Sequence, residues 1–353
     1  MRAIFTVCSN NYLAQAAVLG NSLREHAPGA ELFLALVDVL NETVDYSQFP
    51  FTVITIREIE PGIDLLAEKY NILELNACLK PQVFLYLFER YDFSELIFLD
   101  TDMVAYDSFE LFGQLFRSHD ILLTPHILTP MPNDNKSPDE QFFLTYGLYN
   151  AGFAGVKRSE EGIKFLHWWK NHNYTNGFNK VETGTFADQL CLNHAPVLFK
   201  NVCIIDDPGC NMAQWNLHER WLTNENGVYL VNSSATLKFF HFSGFQLNSS
   251  ELSVHFYSRF SMKDRPDLLN LYAAYNKSVV KAGFSNFDKI DCYYYERFID
   301  KKMADIELAE QKRWTEKPFV KRLFYKTVPA SLIKSLLARL QKIDNGYPYA
   351  KYK

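Results

Sequence analysis

Leu96-Ile97-Phe98-Leu99-Asp100-Thr101-Asp102-Met103-Val104 runs from four apolar residues straight into two carboxylates one residue apart. An apolar run this short, with aromatic and β-branched members, reads as a buried central strand of a parallel sheet. In open α/β sheets ligands sit beyond the carboxyl ends of the strands, so acids at that position face a site. Acid-x-acid there suits a hard divalent cation, with oxygen ligands from the protein and the remaining positions left to water and phosphate oxygens. The plain alternative is that Asp100 caps the next turn and Asp102 is solvated. For an isolated Asp-x-Asp that alternative is the better one, and the strand context brings the two level.

Working outward, the same strand signal recurs on the N-terminal side. Ala3-Ile4-Phe5-Thr6-Val7-Cys8 reads as a first strand, followed by Ser9-Asn10-Asn11 as turn and cap and by a helix with Leu13, Ala16, Ala17, Gly20 and Leu23 on one face. Pro28-Gly29 ends that helix. Residues 31–38 and 51–56 are further strands, and Pro81 is expected to start a helix carrying Val83, Phe84, Leu87 and Phe88. Strand and helix in alternation predict an α/β fold with a doubly wound, mostly parallel sheet.

Beyond the acids, residues 121–124 form another strand, and 129–140, with three prolines, is a loop able to cover a site. Tyr149 to Val156 is a strand interrupted by glycines, which marks a close approach of backbone to a ligand. Ser159 caps a helix ending near Trp168-Trp169, Thr185 to Gln189 opens another helix, and 237–242 is a last strand with His241 near its end. Three polar clusters can converge on Asp100 and Asp102: Asn150 with its glycines, Asp188-Gln189, and His241 to Gly244. Each has a structural explanation alone; Asp188, for instance, stands three residues after Thr185 at capping-box spacing. Their joint occurrence in this order favours a site.

In that order the chain resembles the family 8 type of GT-A glycosyltransferases, nucleotide-sugar enzymes that include bacterial galactosyltransferases and glycogenin. The matching segments are Ser9-Asn10-Asn11-Tyr12, Lys80 on the helix before the acidic strand, Leu99-Asp100-Thr101-Asp102, Asn150-Ala151-Gly152, Asp188-Gln189 and His241-Phe242-Ser243-Gly244. Asp207-Pro208-Gly209-Cys210-Asn211 and Trp215-Asn216-Leu217-His218 resemble a block found in a bacterial subgroup with a helical C-terminal extension. The resemblance spans roughly residues 1–245. It implies a GT-A domain over 1–248 and a helical extension over 249–353.

The resemblance also implies the chemistry. Asp100, Asp102 and His241 would hold Mn²⁺ or Mg²⁺ facing the diphosphate of a UDP-sugar, with Ser9, Asn10, Tyr12, Lys80, Thr101, Asn150, Ala151, Gly152 and Gly244 lining the donor. Two carboxylates and an imidazole with open positions suit manganese somewhat better. Asp188 would hold sugar hydroxyls and Gln189 would lie nearest the anomeric carbon. Retention of configuration is implied. A glutamine is a poor nucleophile, so front-face attack by the acceptor hydroxyl is expected, Gln189 stabilising the oxocarbenium ion. Two departures stand out: the family's uracil-gripping acid falls on Ser9, and Phe245-Gln246-Leu247 replace its Lys-Pro-Trp.

Bulk composition narrows the partners. A net charge of −5 over 353 residues argues against nucleic acid, and 48% hydrophobic content supports a sizeable core. Residues 312–342 carry nine Lys/Arg against Glu316 alone. Two segments there, one from Pro318 and one around Leu332 to Leu340, have the pattern of basic amphipathic helices, which predicts peripheral contact with an anionic membrane and a glycan or lipid-linked acceptor. Six cysteines without metal spacing, and an N-terminus that enters a strand directly, predict a cytoplasmic location. The competing functions are a catalytically silent carbohydrate-binding or scaffold protein on the same fold, and a sugar-phosphate nucleotidyltransferase. The latter lacks support because Ser9-Asn10-Asn11-Tyr12 contains no glycine-rich phosphate loop.

Overall fold

The computed structural model describes residues 2–255 and 259–315, and side chains to 310. By internal contacts the chain divides into two units, Met1–Phe298 and Ile299–Lys353. The first is built on a seven-stranded sheet. In chain order its strands are β1 (Arg2–Cys8), β2 (Glu31–Leu36), β3 (Thr52–Thr55), β4 (Glu95–Leu99), then β6 (Ile121–Pro125), β7 (Tyr149–Lys157) and β8 (Val202–Ile204), after the short β5 (Met103–Ala105) that lies outside it. The spatial order is β8-β6-β7-β4-β1-β2-β3. Every neighbouring pair is parallel except those of β7, which runs antiparallel to both β4 and β6. The expected mostly parallel α/β sheet is what the chain forms.

β4 shows why. Leu96, Ile97, Phe98 and Leu99 are all fully buried. Leu96 and Phe98 point into one core layer, with Phe5, Phe33 and Phe84, while Ile97 and Leu99 point into the other, with Ile4, Leu13 and Leu19. Alternation by two sends successive side chains to opposite faces, and helices cover each face. Helix α1 (Leu13–His26) covers one and α2 (Ile72–Arg90) the other.

α2 corrects the expected start at Pro81. Asn71 caps the helix by accepting from the Leu73 and Glu74 amides, and the Glu74 carboxylate returns to the Asn71 amide. This capping box starts the helix nine residues earlier, and Pro81 is accommodated in its buried interior. Ser159 caps the helix Glu160–Asn176 as expected, but that helix runs past Trp169 to end at Gly177. The helix expected to open at Thr185 begins only after Gln189, as a 3-10 helix over Leu190–His194 that continues into Ala195–Leu198. Thr185–Phe186 pairs with Asn179–Lys180, and Ala187 adopts φ +43°. The left-handed Ala187 breaks the helical path, and the Thr185 hydroxyl donates to the Lys180 carbonyl instead of capping.

The last strand among the described residues, β9 (Phe239–His241), pairs antiparallel with β5. Helix α3 (Leu269–Lys281) packs on it, Tyr275 stacking on Phe242 with ring centroids 3.8 Å apart. The last helix among the described residues, α4 (Tyr293–Thr315), starts with the Tyr293 amide donating to Asp38. In the second unit the described residues include the Lys301–Asp305 ion pair of this helix. The amphipathic segments expected from Pro318 onward lie outside the described residues. No helix among the described residues is long and apolar enough to cross a membrane.

Candidate functional site

β4 ends at Leu99, and the next residues turn sharply. The Asp100 amide donates to the Gly152 carbonyl of β7, and the Met103 amide returns to the Asp100 carbonyl. The two acids thereby project from the carboxyl end of the central strand, with Thr101 buried between them. β5 then lies against β9, and the Phe242 amide donates to the Asp102 carbonyl, which fixes His241 opposite the acids. His241 Nε2 is 3.0 Å from Asp102 Oδ1 and 4.0 Å from Asp100 Oδ2. One donor atom from each of Asp100, Asp102 and His241 falls within 4.8 Å of the others.

The residues around this cluster fit a divalent cation. Two hard carboxylates and an imidazole converge, and His241 Nδ1 is 3.2 Å from Asn150 Oδ1, the outer partner that a metal-bound histidine typically has. Gly152 leaves the space open: a Cβ there would come within 2.8 Å of Asp100 Oδ2 and 2.7 Å of Asn150 Oδ1. Gly152→Ala is expected to cost about 1–3 kcal/mol through this overpacking, read as a lower denaturant midpoint with unchanged slope. Burial pushes the Asp102 carboxyl up, but the His241 imidazole beside it outweighs this and holds it below its ordinary value. Burial pushes His241 down, and Asp102 and Asp100 more than offset that, so its pKa is raised.

Lys80 joins the acids from behind. It is buried on α2, donates to the Ala151 carbonyl at 2.9 Å, and sits 3.1 Å from Asp188 Oδ2 and 3.4 Å from Asp100 Oδ1. Its ammonium also lies 4.6 Å over the Phe98 ring. Burial lowers the Lys80 pKa, yet the two carboxylates raise it further than burial lowers it. Burial lifts the Asp188 carboxyl to about 6, Lys80 opposing the rise and Asp100 adding to it. Asp188 is therefore an ion-pair partner and not a helix cap.

The sign for stability follows from that shift. Between the ordinary 3.8 and about 6 the folded chain holds a proton on Asp188 that the unfolded chain has released. This group's contribution is greatest below that window and is lost as pH rises through it. Asp188→Asn should flatten the pH dependence of unfolding free energy relative to the parent across pH 4–6, measured by denaturant titration at each pH.

The remaining expected residues take defined places. Gln189 Oε1 accepts from the Ala151 amide at 3.1 Å and from Asn150 Nδ2 at 3.3 Å, and its Nε2 donates to the Tyr146 carbonyl at 2.8 Å. Lys80, Asp100, Asp102, Asn150, Ala151, Gly152, Asp188, Gln189 and His241 thus form one connected network. Ser9, Asn10 and Tyr12 stand at the same end of the neighbouring β1. There the Ser9 hydroxyl donates to Asn11, and Asn10 bonds to Asp38, Val39 and Tyr46. Gly244, three residues beyond His241, turns with φ +68°.

The chain matches no protein-family model. It is 25% identical to the uncharacterized protein YfnF of Bacillus subtilis strain 168 over 283 residues, 78% of this chain and 91% of YfnF. Among solved structures it is similar to the galactosyltransferase LgtC in complex with donor and acceptor sugar analogues, at 17% identity, 61% of this chain, 76% of LgtC and a TM-score of 0.38. It is also similar to mouse xyloside xylosyltransferase 1, at 14% identity, covering 68% of this chain and 97% of that one with a TM-score of 0.42.

One contributor, His126, escapes a reading of motifs, and another, Trp215, was read only as part of the block Trp215-Asn216-Leu217-His218. His126 follows β6 and is buried, its Nε2 3.5 Å from Asn150 Nδ2; its signal was a histidine just beyond an apolar strand, the same signal that Asp100 gives. Trp215 meets His241 edge to face at 5.1 Å and His126 at 5.2 Å, so it contacts both imidazoles. The block around it is held by Asn216, which donates to the carbonyls of His126 and Asn211, and Met212 bridges to Phe240. Residues 207–217 therefore back the strand that presents His241.

Proposed function

We propose that this protein is a metal-dependent glycosyltransferase that moves a sugar from a nucleotide-sugar donor, a UDP-sugar, to a glycan or lipid-linked acceptor in surface polysaccharide or glycoconjugate synthesis. The observation that carries the reading is the convergence of Asp100, Asp102 and His241 at the carboxyl end of the central strand. These three residues would hold Mn²⁺ or Mg²⁺. When bound, such an ion supplies Lewis-acid stabilisation of the charge that builds on a departing nucleoside diphosphate. Lys80 adds a fixed positive charge behind Asp100 without reorganising during the reaction. Asp188, held by Lys80, offers its carboxylate as an acceptor for sugar hydroxyls. Ser9 to Tyr12, at the polar exit of β1, would face the nucleoside. Transfer with retention and front-face attack, with Gln189 near the reacting carbon, belongs to the same proposal. So do a cytoplasmic location and membrane contact through residues 312–342.

The test is release of nucleoside diphosphate from a panel of nucleotide sugars, with Mn²⁺, with Mg²⁺ and with chelator. The reading expects release from one donor in the presence of metal and none with chelator. Release that is indifferent to chelator, or no release from any donor, contradicts it. The anomeric configuration of the product, read by proton NMR, checks retention.

A further inference from the structure

The polar groups around His241 have only one self-consistent arrangement, and backbone atoms set it. Gln189 faces a backbone donor, the Ala151 amide at 3.1 Å, and a backbone acceptor, the Tyr146 carbonyl at 2.8 Å. Its oxygen and nitrogen are therefore fixed. Because Oε1 is an acceptor, the Asn150 atom 3.3 Å away must be the donor Nδ2. The other end of that amide, Oδ1, then faces His241 Nδ1 at 3.2 Å. His126 agrees. Its Nδ1 lies 3.2 Å from the Leu148 carbonyl and must carry a proton, which leaves Nε2 bare toward Asn150 Nδ2. An Asn150 turned the other way would put oxygen against Gln189 Oε1 and against the bare His126 Nε2.

We propose that Gln189 and Asn150 are positioning residues that lock the His241 imidazole with its proton on Nδ1, so that Nε2 is the nitrogen presented to a divalent cation shared with Asp100 and Asp102. This rests on the reading of those three residues as metal ligands. It gives Gln189 a task through its bond to Asn150. A histidine ligand depends on its outer hydrogen bond for ring orientation and tautomer, and losing such a partner typically weakens metal binding about 10- to 100-fold.

The experiment uses Mn²⁺ alone as the probe, with free Mn²⁺ followed by electron paramagnetic resonance in titrations of the full chain. Asn150→Leu and Gln189→Leu are expected to weaken Mn²⁺ binding about 10- to 100-fold. Asn150→Asp keeps an acceptor toward Nδ1 and is expected to bind Mn²⁺ within about threefold of the parent, or tighter, although it buries a carboxylate against Gln189 and lowers the unfolding midpoint. A merely structural role would make Asn150→Asp as weak as Asn150→Leu, and that result overturns the proposal. So does Mn²⁺ binding by Gln189→Leu within twofold of the parent. Failure of the parent itself to bind Mn²⁺ sinks the metal reading instead. In that case, or if variants do not fold, the imidazole ¹⁵N spectrum of the metal-free parent, taken at a pH where His241 is neutral, decides: a proton on Nδ1 with a bare Nε2 supports the lock, and a bare Nδ1 overturns it.

Discussion

Asp102→Asn should reduce the rate of sugar transfer about a thousandfold while leaving the fold in place. Asp102 is the acid closest to His241, 3.0 Å from Nε2, and its carboxylate is one of three converging donors. The amide keeps the size of the side chain but removes the charge that a hard cation needs. Loss of roughly 4 kcal/mol of transition-state stabilisation, typical of what a Lewis acid contributes, corresponds to about three orders of magnitude. The side chain is partly exposed, so the substitution does not orphan a deeply buried group. Steady-state donor turnover at saturating Mn²⁺, beside a circular dichroism melt, checks both halves. A loss below tenfold would remove Asp102 from the proposed ligand set.

Lys80→Met should destabilise the protein by about 3–5 kcal/mol, the cost of stranding one partner of a buried ion pair. The ammonium is buried and neutralises Asp188, which is itself almost wholly inaccessible, as well as part of Asp100. Without it the carboxylates of Asp188 and Asp100 are left without their shared cation, beside the Phe98 ring. The double variant Lys80→Met/Asp188→Asn removes the stranded charge and should recover at least half of the loss. Chemical denaturation of the single and double variants gives both numbers. A single-variant loss under 1 kcal/mol, or a double variant no better than the single, would mean that the three charges are not coupled as their distances imply.

These predictions depend on contacts of unequal visibility in the sequence. Asp100, Asp102 and His241 were legible because each ends a short apolar run, and a strand's direction dictates that its last residues share one edge of the sheet. Gly152 was legible as a glycine inside a strand, where only a close neighbour explains the missing side chain. Lys80 was placed on the right helix, but its partner Asp188 is 108 positions away. No local pattern announces an ion pair of that separation. Asp188 was further disguised by Thr185, which has capping-box spacing, whereas the left-handed backbone at Ala187 turns the segment away from a helix. The same limit applies at Pro81: a proline suggests a helix start, while the Asn71–Glu74 capping box fixes the true one. The direction of the Gln189 and Asn150 amides is a property of backbone groups brought together by folding, and nothing in the residue order encodes it.

The most direct test of the central claim is the thermal unfolding midpoint of the full chain against UDP-sugars, other nucleotide sugars and free nucleotides, with and without Mn²⁺. A ligand that binds only the folded state raises the midpoint by mass action. The account predicts a rise with a UDP-sugar that requires Mn²⁺ and disappears in Asp102→Asn. No rise with any nucleotide sugar, or a rise that persists without metal and in Asp102→Asn, would contradict it.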